Sequence, residues 1–383
     1  MLFGLMETGF PLFYWGNALM IVIALILIYL AIAKDMEPLL LVPIGFGMIL
    51  VNLPLGGMMD YEMRLKAPQA GTVMEISTQE GKGFDKGSVI CKLDSGEVVA
   101  PVFGRVGELI VEKGQHVEKG QVVASIFTME QTDQAVYPSR PVGLLSRIFQ
   151  YGVMWQILPP LMFLCLGALT DFGPMLANPK TLLLGAAAQF GVYLAFFMAL
   201  FVGFTLPEAA SIGIIGGAEG PTTIYVSSVL APHIIGATAV ACYSYMALVP
   251  IIIPPVIRLL TTKKERGIFM KPSLRKVSKV EKIVFPLITA IIVILIVPTS
   301  AALMGCFMVG NLFKECGVTE RLRKTAQTTF VDLITIFLTL AIGASMPAQN
   351  FLQPKTLLIL VLGVISFASA AGAGVLLAKF MNL

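Results

Sequence analysis

Two glutamates lie in an otherwise apolar stretch of the chain, between Pro207 and Tyr225. Glu208 and Glu219 share this stretch with two prolines and four glycines. A continuous membrane helix does not tolerate so many charges and helix breakers, because proline removes a backbone donor and an unsatisfied backbone group in hydrocarbon costs several kcal/mol. The pattern therefore predicts a helix broken at membrane depth, where half-helix ends and free carbonyl oxygens bind an ion. A short extramembrane loop with solvated glutamates is the alternative interpretation.

A third carboxylate, Asp171, follows an apolar segment at residues 150–169 and has no basic residue nearby. A charged residue inside a membrane segment costs about 2.5–3.5 kcal/mol on insertion scales, so it is a functional candidate, although one near an interface is simply solvated. Burial is expected to raise the pKa of this carboxyl from about 3.9 toward neutrality, whereas a bound cation favours the ionised form. One carboxylate that holds either a cation or a proton is the simplest chemical basis for coupling the two.

Oxygen atoms near these carboxylates complete a candidate site for a hard cation, because hard cations select oxygen ligands. The candidate metal ligands are Asp171, Gly216, Gly217, Glu219, Gly220 and Thr222. The candidate catalytic residues are Asp171, Tyr225 and Ser244. Glu208 and Asp332 are weaker candidates that we expect near an interface. Neither of the two histidines has a partner at metal-ligand spacing, so no histidine chemistry is assigned.

The composition places these residues in a multi-pass membrane protein. Of the 383 residues 56% are hydrophobic and 13% charged, whereas a soluble domain carries about 25% charged residues. The net charge of +4 is modest and the basic residues cluster in loops, which argues against nucleic acid as a partner. A basic loop between Thr262 and Lys282 is predicted to stay in the cytoplasm. The predicted spans cover residues 17–33, 39–58, 150–169, 178–204, 234–260, 283–303, 330–345 and 356–380.

Residues 61–137 have a different character, being charged, rich in glycine and alternating in hydrophobicity, which is typical of short strands. This insert repeats itself with a shift of about 33 residues. The matched pairs are Ala67-Pro68 with Ala100-Pro101, Gly81 with Gly114, and Lys86-Gly87 with Lys119-Gly120. Two copies of a strand–turn–strand unit related in this way predict a flattened barrel made of two interlocked halves.

The motifs of this insert, A-P-x-x-G-x-V in both halves and E-K-G-Q-x-V-x-K-G-Q in the second, resemble the biotinyl/lipoyl-carrier family. In that family the modified lysine lies on the hairpin between the halves, at the position occupied here by Leu93. Lys92 is one residue out of register, and one step along a strand reverses the side-chain direction. We therefore expect a carrier-like barrel without biotin, with a docking or structural role.

The membrane part also repeats. The motif Asn178–Leu183 recurs as Gln353–Leu358, and Gly167-Ala168 recurs as Gly343-Ala344 at nearly the same shift. Repeats with broken helices at equivalent positions build the central site of many ion-coupled membrane proteins. By this symmetry the second copy of the Gly216-Gly217 break would fall beyond Leu383, so we expect the membrane core to be truncated at its C-terminal end.

The predicted fold is a polytopic α-helical membrane protein with internal repeats and broken helices, into which a small all-β barrel-sandwich domain is inserted. Residues 1–60 are predicted to form two N-terminal transmembrane helices and residues 61–137 the soluble insert. Residues 138–383 are predicted to form the membrane core with its ion site.

Four motifs of this chain are similar to those of the β subunit of the sodium-translocating decarboxylases, which act on oxaloacetate, methylmalonyl-CoA or glutaconyl-CoA. The motifs are Thr170–Pro174, Leu176–Gly191, Gly216–Thr222 and Ala241–Pro250. The resemblance covers both N-terminal spans and residues from about 145 to the end. It implies that this subunit decarboxylates carboxybiotin delivered by a separate carrier, consumes a proton and exports Na⁺. It also implies that Asp171 is the family's essential membrane aspartate.

The resemblance further implies a set of partners and a location. The partners are a carboxyltransferase α subunit, a biotin carrier subunit and a small membrane subunit, with a second copy of this chain as an open alternative. The location is the plasma (inner) membrane of a prokaryote, with the insert at 61–137 in the cytosol. Two departures stand out, since the family usually has aspartate at Glu219 and carries a further C-terminal segment with an Asn-Pro pair.

A secondary Na⁺-coupled transporter with a regulatory soluble domain is the main alternative, because broken helices and an intramembrane carboxylate fit it equally well. A non-catalytic scaffold is a third hypothesis. The carrier-like insert favours the decarboxylase, since such a barrel handles or mimics a biotin carrier.

Overall fold

The computed structural model describes residues 13–54, 56–129, 139–269 and 275–381. It divides into two units. The strands belong to the first unit, which includes residues 50–150, whereas residues 19–49 and 151–383 form the second, helical unit.

Within the described residues the first unit contains nine strands, most of them short. They are β1 (Tyr61–Lys66), β2 (Gly71–Ile76), β3 (Gly83–Phe84), β4 (Val89–Leu93), β5 (Gly96–Val99), β6 (Gly104–Leu109), β7 (His116–Val117), β8 (Val122–Thr128) and β9 (Ser139–Pro141). One antiparallel sheet has the order β3-β6-β8-β1-β9 and the other the order β5-β4-β2-β7. Alternate strand residues such as Met63, Val106 and Ile126 are fully buried and form one apolar core.

The two halves of the insert exchange equivalent hydrogen bonds. Gly87 N donates to Ala100 O at 2.8 Å, and its equivalent Gly120 N donates to Ala67 O at 2.9 Å. Both glycines have positive φ, 88° and 85°, a conformation that glycine adopts at no steric cost. The sequence repeat is therefore also a structural repeat, in which each half pairs with the Ala-Pro segment of the other.

Helices make up most of the remaining chain. They are α1 (Trp15–Lys34), α2 (Pro38–Val51), α3 (Leu144–Arg147), α4 (Leu158–Leu169), α5 (Gly173–Ala177), α6 (Thr181–Ala188), α7 (Phe190–Val202), α8 (Leu206–Ile214), α9 (Gly220–Leu230), α10 (Ile235–Leu260), α11 (Lys263–Arg266), α12 (Lys279–Ile296), α13 (Ala301–Glu315), α14 (Glu320–Thr325), α15 (Val331–Ala344), α16 (Ala348–Phe351) and α17 (Pro354–Phe380).

Among the described residues, four helical segments are long and apolar enough to cross a membrane: Trp15–Lys34, Thr181–Val202, Glu320–Ala344 and Pro354–Phe380. Two further pairs of helices pass the same test together but bend by 65° and 64° at a short interruption, which gives up to six spans. The multi-pass fold with bent helices agrees with the prediction. The span predicted at 39–58 is shorter than expected, since α2 ends at Val51, ahead of Pro54, and residues before a proline disfavour the helical conformation.

Glycines let the helices of the second unit approach closely. A Cβ added to Gly310 on α13 would lie 1.9 Å from Leu164 O on α4, and one added to Gly167 on α4 would lie 1.9 Å from Phe307 O. The Asn311 side-chain amide donates across the same contact to Gly167 O at 3.2 Å and Thr170 O at 3.0 Å. Small residues with an interhelical hydrogen bond are the usual means of helix association in membranes.

Candidate functional site

The helix predicted to break between Pro207 and Tyr225 is interrupted there in the structure. Helix α8 ends at Ile214, a 3₁₀ turn covers Ile215–Gly217, and α9 begins at Gly220. Ala218 takes the left-handed conformation with φ 54°, which is uncommon for a residue with a Cβ. We call residues 215–219 the break. The regular α-helix stops at this point, and the last backbone carbonyls of a helix have no partner within it.

Glu219 caps the N-terminus of α9. One of its carboxylate oxygens accepts a hydrogen bond from Thr222 N at 2.5 Å, and its backbone oxygen accepts from the Thr223 hydroxyl at 2.8 Å. A carboxylate at this position satisfies a free backbone donor and interacts favourably with the positive end of the helix dipole. The local sequence thus places a negative charge at the meeting point of two half-helices.

Two glycines, one in the break and one directly after it, allow neighbouring helices to touch the backbone. A Cβ on Gly216 would lie 2.0 Å from Ser366 Oγ on α17, and a Cβ on Gly220 would lie 2.4 Å from Tyr243 Cε1 on α10. Gly217 is less crowded, because its added Cβ would lie 3.8 Å from a methyl group of Val192. The two glycines therefore bring α10 and α17 against the break.

A cavity of about 430 Å³ opens beside the break. Gly216, Gly217 and Ala218 line one side of it, and apolar residues of α6, α10 and α17 line the rest. Among the described residues there is no group of three or more His, Cys, Asp or Glu side chains that could hold a metal ion. A cation at the break would therefore bind mainly backbone, hydroxyl and single carboxylate oxygens, which suits a hard cation.

Asp171 lies beyond the end of α4, and the structure corrects two expectations about it. Lys282 on α12 places its Nζ 3.5 Å from Asp171 Oδ1, so a basic residue is nearby in space. The carboxyl side chain is 53% exposed. Its pKa is lowered and not raised, because Gly173 N donates to Oδ1 at 2.9 Å and because the Lys282 ammonium lies close, which together outweigh the desolvation. Sequence reasoning missed Lys282 because Asp171 and Lys282 lie in segments that are far apart in the chain.

The structure brings together those predicted residues that are close in sequence. Gly216, Gly217, Glu219, Gly220 and Thr222 all lie at or next to the break. Within the described ranges, no hydrogen bond or ion pair joins the carboxylates of Asp171 and Glu219, since the first contacts Gly173 and Lys282 and the second contacts Thr222.

The two remaining catalytic candidates lie on α9, which follows the break, and on α10, which packs against it. The Tyr225 hydroxyl on α9 donates to Thr299 O at 3.4 Å, and Ser244 is half-buried on α10.

Glu208, which we expected near an interface, is 5% exposed and fully engaged. Its Oε2 accepts from Thr205 N at 2.7 Å and from the Thr205 hydroxyl at 2.8 Å, and its Oε1 lies 2.9 Å from His233 Nε2. The contacts between Thr205 and Glu208 form the capping box at the start of α8. A threonine three residues before a glutamate is a sequence signal for this cap, which identifies Glu208 as a structural residue.

Comparison with known proteins places nearly the whole chain in one family. The family model described as "Na+-transporting oxaloacetate decarboxylase beta subunit" matches residues 16–383. The chain is 47% identical over 377 residues to the methylmalonyl-CoA decarboxylase subunit beta of Propionigenium modestum, covering 98% of this chain and 81% of that protein. It is 44% identical over 387 residues to the oxaloacetate decarboxylase beta chain of Klebsiella pneumoniae, covering 99% and 82%.

Proposed function

Because the chain belongs to the family of Na⁺-transporting oxaloacetate decarboxylase beta subunits, we propose that it is the membrane subunit that couples decarboxylation of carboxybiotin to Na⁺ export. In this reaction the bond between the ureido nitrogen of biotin and the carboxyl carbon breaks and carbon dioxide leaves. The bonding electron pair returns to the nitrogen, which takes up one proton. A secondary Na⁺-coupled transporter, the alternative considered from the sequence, is not favoured by these relatives.

The observation that carries this proposal is the break itself. It combines a capping carboxylate at Glu219, backbone freed from helical pairing and an adjacent cavity of about 430 Å³. Irregular backbone is tolerated at membrane depth only where it is buried in protein or lines a cavity. Broken helices of this kind bind the coupling ion in ion-driven membrane proteins.

We assign the transported Na⁺ to oxygens of Gly216, Gly217, Glu219, Gly220 and Thr222. The negative Glu219 offsets the charge of the ion, and the neutral oxygens replace part of its hydration shell. This arrangement resembles the way in which unwound backbone and half-helix ends hold Na⁺ in transporters.

Asp171 is the second proposed carboxylate, and it handles the cation or proton at a separate position. A cation that binds Asp171 has to displace the Lys282 ammonium from its 3.5 Å contact. Glu315 offers that ammonium another carboxylate, since its Oε2 lies 3.8 Å from Lys282 Nζ. The Lys282 ammonium therefore keeps Glu315 as an ion-pair partner when a cation binds Asp171. Tyr225 and Ser244 are the proposed polar groups of the same reaction.

The insert is proposed to be a barrel-sandwich domain of the biotinyl/lipoyl-carrier type that carries no biotin. Leu93, at the position of the carrier lysine, is 6% exposed and packs in the core of the insert. Lys92 is held on the sheet surface, where its Nζ lies 3.3 Å from Glu75 Oε2. Because the insert has the fold of a carrier but lacks the modified lysine, we propose that it serves as a docking surface for the separate biotin carrier.

The remaining assignments follow from the family. We propose that the chain assembles with a carboxyltransferase α subunit, a biotin carrier subunit and a small membrane subunit, with self-association as a further option. The complex is proposed to lie in the inner membrane of a prokaryote, with the insert in the cytosol.

The function is tested by reconstituting the full-length chain with its partner subunits in proteoliposomes. Carboxybiotin is added, and carbon dioxide release and ²²Na⁺ movement are recorded together with and without Na⁺. We expect release that Na⁺ stimulates and transport that stops when carboxybiotin is exhausted. Solute-driven Na⁺ movement without any carbon dioxide release would instead establish the secondary transporter.

A further inference from the structure

Tyr243 lies against the first residue of α9. A Cβ placed on Gly220 would lie 2.4 Å from Tyr243 Cε1 and 2.9 Å from its hydroxyl oxygen, so the ring fits only because this position is glycine. The hydroxyl end of the ring therefore points to the junction between the break and α9. Neither composition nor spacing singles out this tyrosine, although it belongs to the motif Ala241–Pro250.

The Tyr243 hydroxyl is buried without a partner. The residue is 2% exposed, and its hydroxyl oxygen has no hydrogen-bond partner in the described part of the chain. Burying a hydroxyl without a hydrogen bond is unfavourable, and such a group calls for an explanation. Tyr245, two residues further along α10, shows the usual solution, because its hydroxyl donates to the Leu360 carbonyl.

The surroundings of this hydroxyl favour a cation as its missing partner. Glu219 directly precedes Gly220, the residue against which the hydroxyl end of the Tyr243 ring lies. The Cys242 thiol on the same helix is engaged by Thr223 and does not serve the tyrosine. A phenolic oxygen has lone pairs that bind a hard cation, and its neighbour Glu219 supplies the negative charge.

We propose that the Tyr243 hydroxyl oxygen is a further ligand of the transported Na⁺, beside the Glu219 carboxylate. This inference rests on the proposed cation site at the break and adds to it a residue from a second helix. A ligand contributed by α10 links ion binding to the position of that helix relative to α9. Binding and release of Na⁺ then change the contact between the two half-helices and α10.

A purely structural role makes the opposite prediction. If the hydroxyl contacts no ligand, phenylalanine is the better residue, because it fills the same space and buries no unpaired polar atom. Tyr243→Phe would then leave Na⁺ dependence unchanged and stabilise the protein. Tyr245→Phe is the matched control, because it removes a hydroxyl of known structural use from the same helix.

The experiment compares Tyr243→Phe, Tyr245→Phe and Glu219→Gln in the complete complex with its partner subunits. Two quantities are measured: the Na⁺ concentration that gives half-maximal carboxybiotin decarboxylation, and the rise in melting temperature on adding Na⁺. We expect Tyr243→Phe to raise the half-maximal Na⁺ concentration about tenfold, with the maximal rate largely kept. We also expect it to shrink the Na⁺-induced rise in melting temperature, which requires no turnover. Tyr245→Phe should lower stability and leave both Na⁺ responses unchanged.

Three outcomes overturn the assignment. Tyr243→Phe with Na⁺ responses within twofold of the unmodified complex, alongside lost responses in Glu219→Gln, refutes the tyrosine and leaves the proposed site intact. Unchanged Na⁺ responses in Glu219→Gln refute the proposed site and the tyrosine with it. Equal shifts in both tyrosine variants attribute the effect to the packing of α10 and also refute the assignment.

Discussion

The Ser366 hydroxyl donates a hydrogen bond to the Gly191 carbonyl at 2.8 Å, and the two residues lie 175 positions apart. The same shift relates the motifs Asn178–Leu183 and Gln353–Leu358. Helices α7 and α17 thus cross at equivalent positions of the two repeat copies. Gly216 at the break packs on this crossing, since its added Cβ would lie 2.0 Å from Ser366 Oγ. The contact between the copies therefore also supports the candidate ion site.

Equivalent contacts in the two repeat copies also involve helices that the sequence repeat did not include. The Cβ of a residue at Gly167 would meet the backbone of α13, and the Cβ of a residue at the equivalent Gly343 would lie 2.1 Å from Ile44 O on α2. Gly47 on α2 approaches Leu340 O in the same way that Gly310 on α13 approaches Leu164 O. Helices α2 and α13 thus play equivalent roles, each packing on the helix that carries the Gly-Ala motif.

Gly310→Ala is expected to destabilise the second unit, because its Cβ would lie 1.9 Å from a backbone oxygen of α4 that cannot move freely. Overpacking of this kind costs about 1–3 kcal/mol. Gly305→Ala on the same helix has no atom within 4 Å of the new Cβ and should be neutral or stabilising by up to about 1 kcal/mol. Thermal unfolding of both variants in detergent measures the difference. Equal melting temperatures would contradict the close α4–α13 contact.

Asp171→Asn is expected to abolish Na⁺-dependent turnover while leaving membrane insertion intact. The change removes the charge that a cation or Lys282 would balance, but it keeps an oxygen that accepts the Gly173 N–H bond. Glu281→Gln is a suitable control, because Glu281 precedes Lys282 and pairs with Arg275 at an exposed position. Carbon dioxide release at graded Na⁺ concentrations tests both variants. Retained Na⁺ dependence in Asp171→Asn would remove this residue from the site.

The stability of the protein should depend on the ionisation of Asp171 at acid pH. The Gly173 amide and the Lys282 ammonium hold the pKa of this carboxyl below its ordinary value. A carboxyl whose pKa is lower in the folded state than in the unfolded state contributes to stability. This contribution is present above the unfolded-state pKa of about 3.9 and is lost as pH falls through the lower folded-state pKa. The melting-temperature difference between the unmodified protein and Asp171→Asn should stay constant from about pH 7 to 5 and shrink below about pH 4. A difference that already shrinks near neutral pH would indicate a raised pKa.

Features that depend on residues close together in the sequence could be predicted, whereas contacts between distant segments could not. The break was predictable because the glycines, prolines and glutamates between Pro207 and Tyr225 lie in one short segment of the sequence. The insert was predictable because its turns repeat with the same glycines. The partners of Asp171 and the packing of Tyr243 were not, since Lys282 and Gly220 reach them from other helices. Such contacts depend on how helices cross, and no periodic pattern in one segment encodes the crossing.

The insert should carry no biotin when isolated from cells that also express an active biotin ligase and a genuine carrier. The hairpin between β4 and β5 offers Leu93 where a carrier has lysine, and Leu93 is buried in the core of the insert. Lys92 points to the other face and is paired with Glu75. Mass spectrometry of the insert and of the co-expressed carrier makes the comparison. A biotin mass on Lys92 would show that the insert is itself a carrier.

Substitutions of Glu219 separate its two proposed roles. Glu219→Ala removes both the charge and the acceptor for Thr222 N, so it should lower stability by about 0.5–2 kcal/mol and abolish the response to Na⁺. Glu219→Gln keeps an oxygen that caps α9 and removes only the charge, so it should retain most of the stability while losing the response to Na⁺. Thermal unfolding and Na⁺-stimulated decarboxylation are measured on the same preparations. If Glu219→Gln responds normally to Na⁺ and Glu219→Ala does not, this glutamate acts as a helix cap and the ion lies elsewhere.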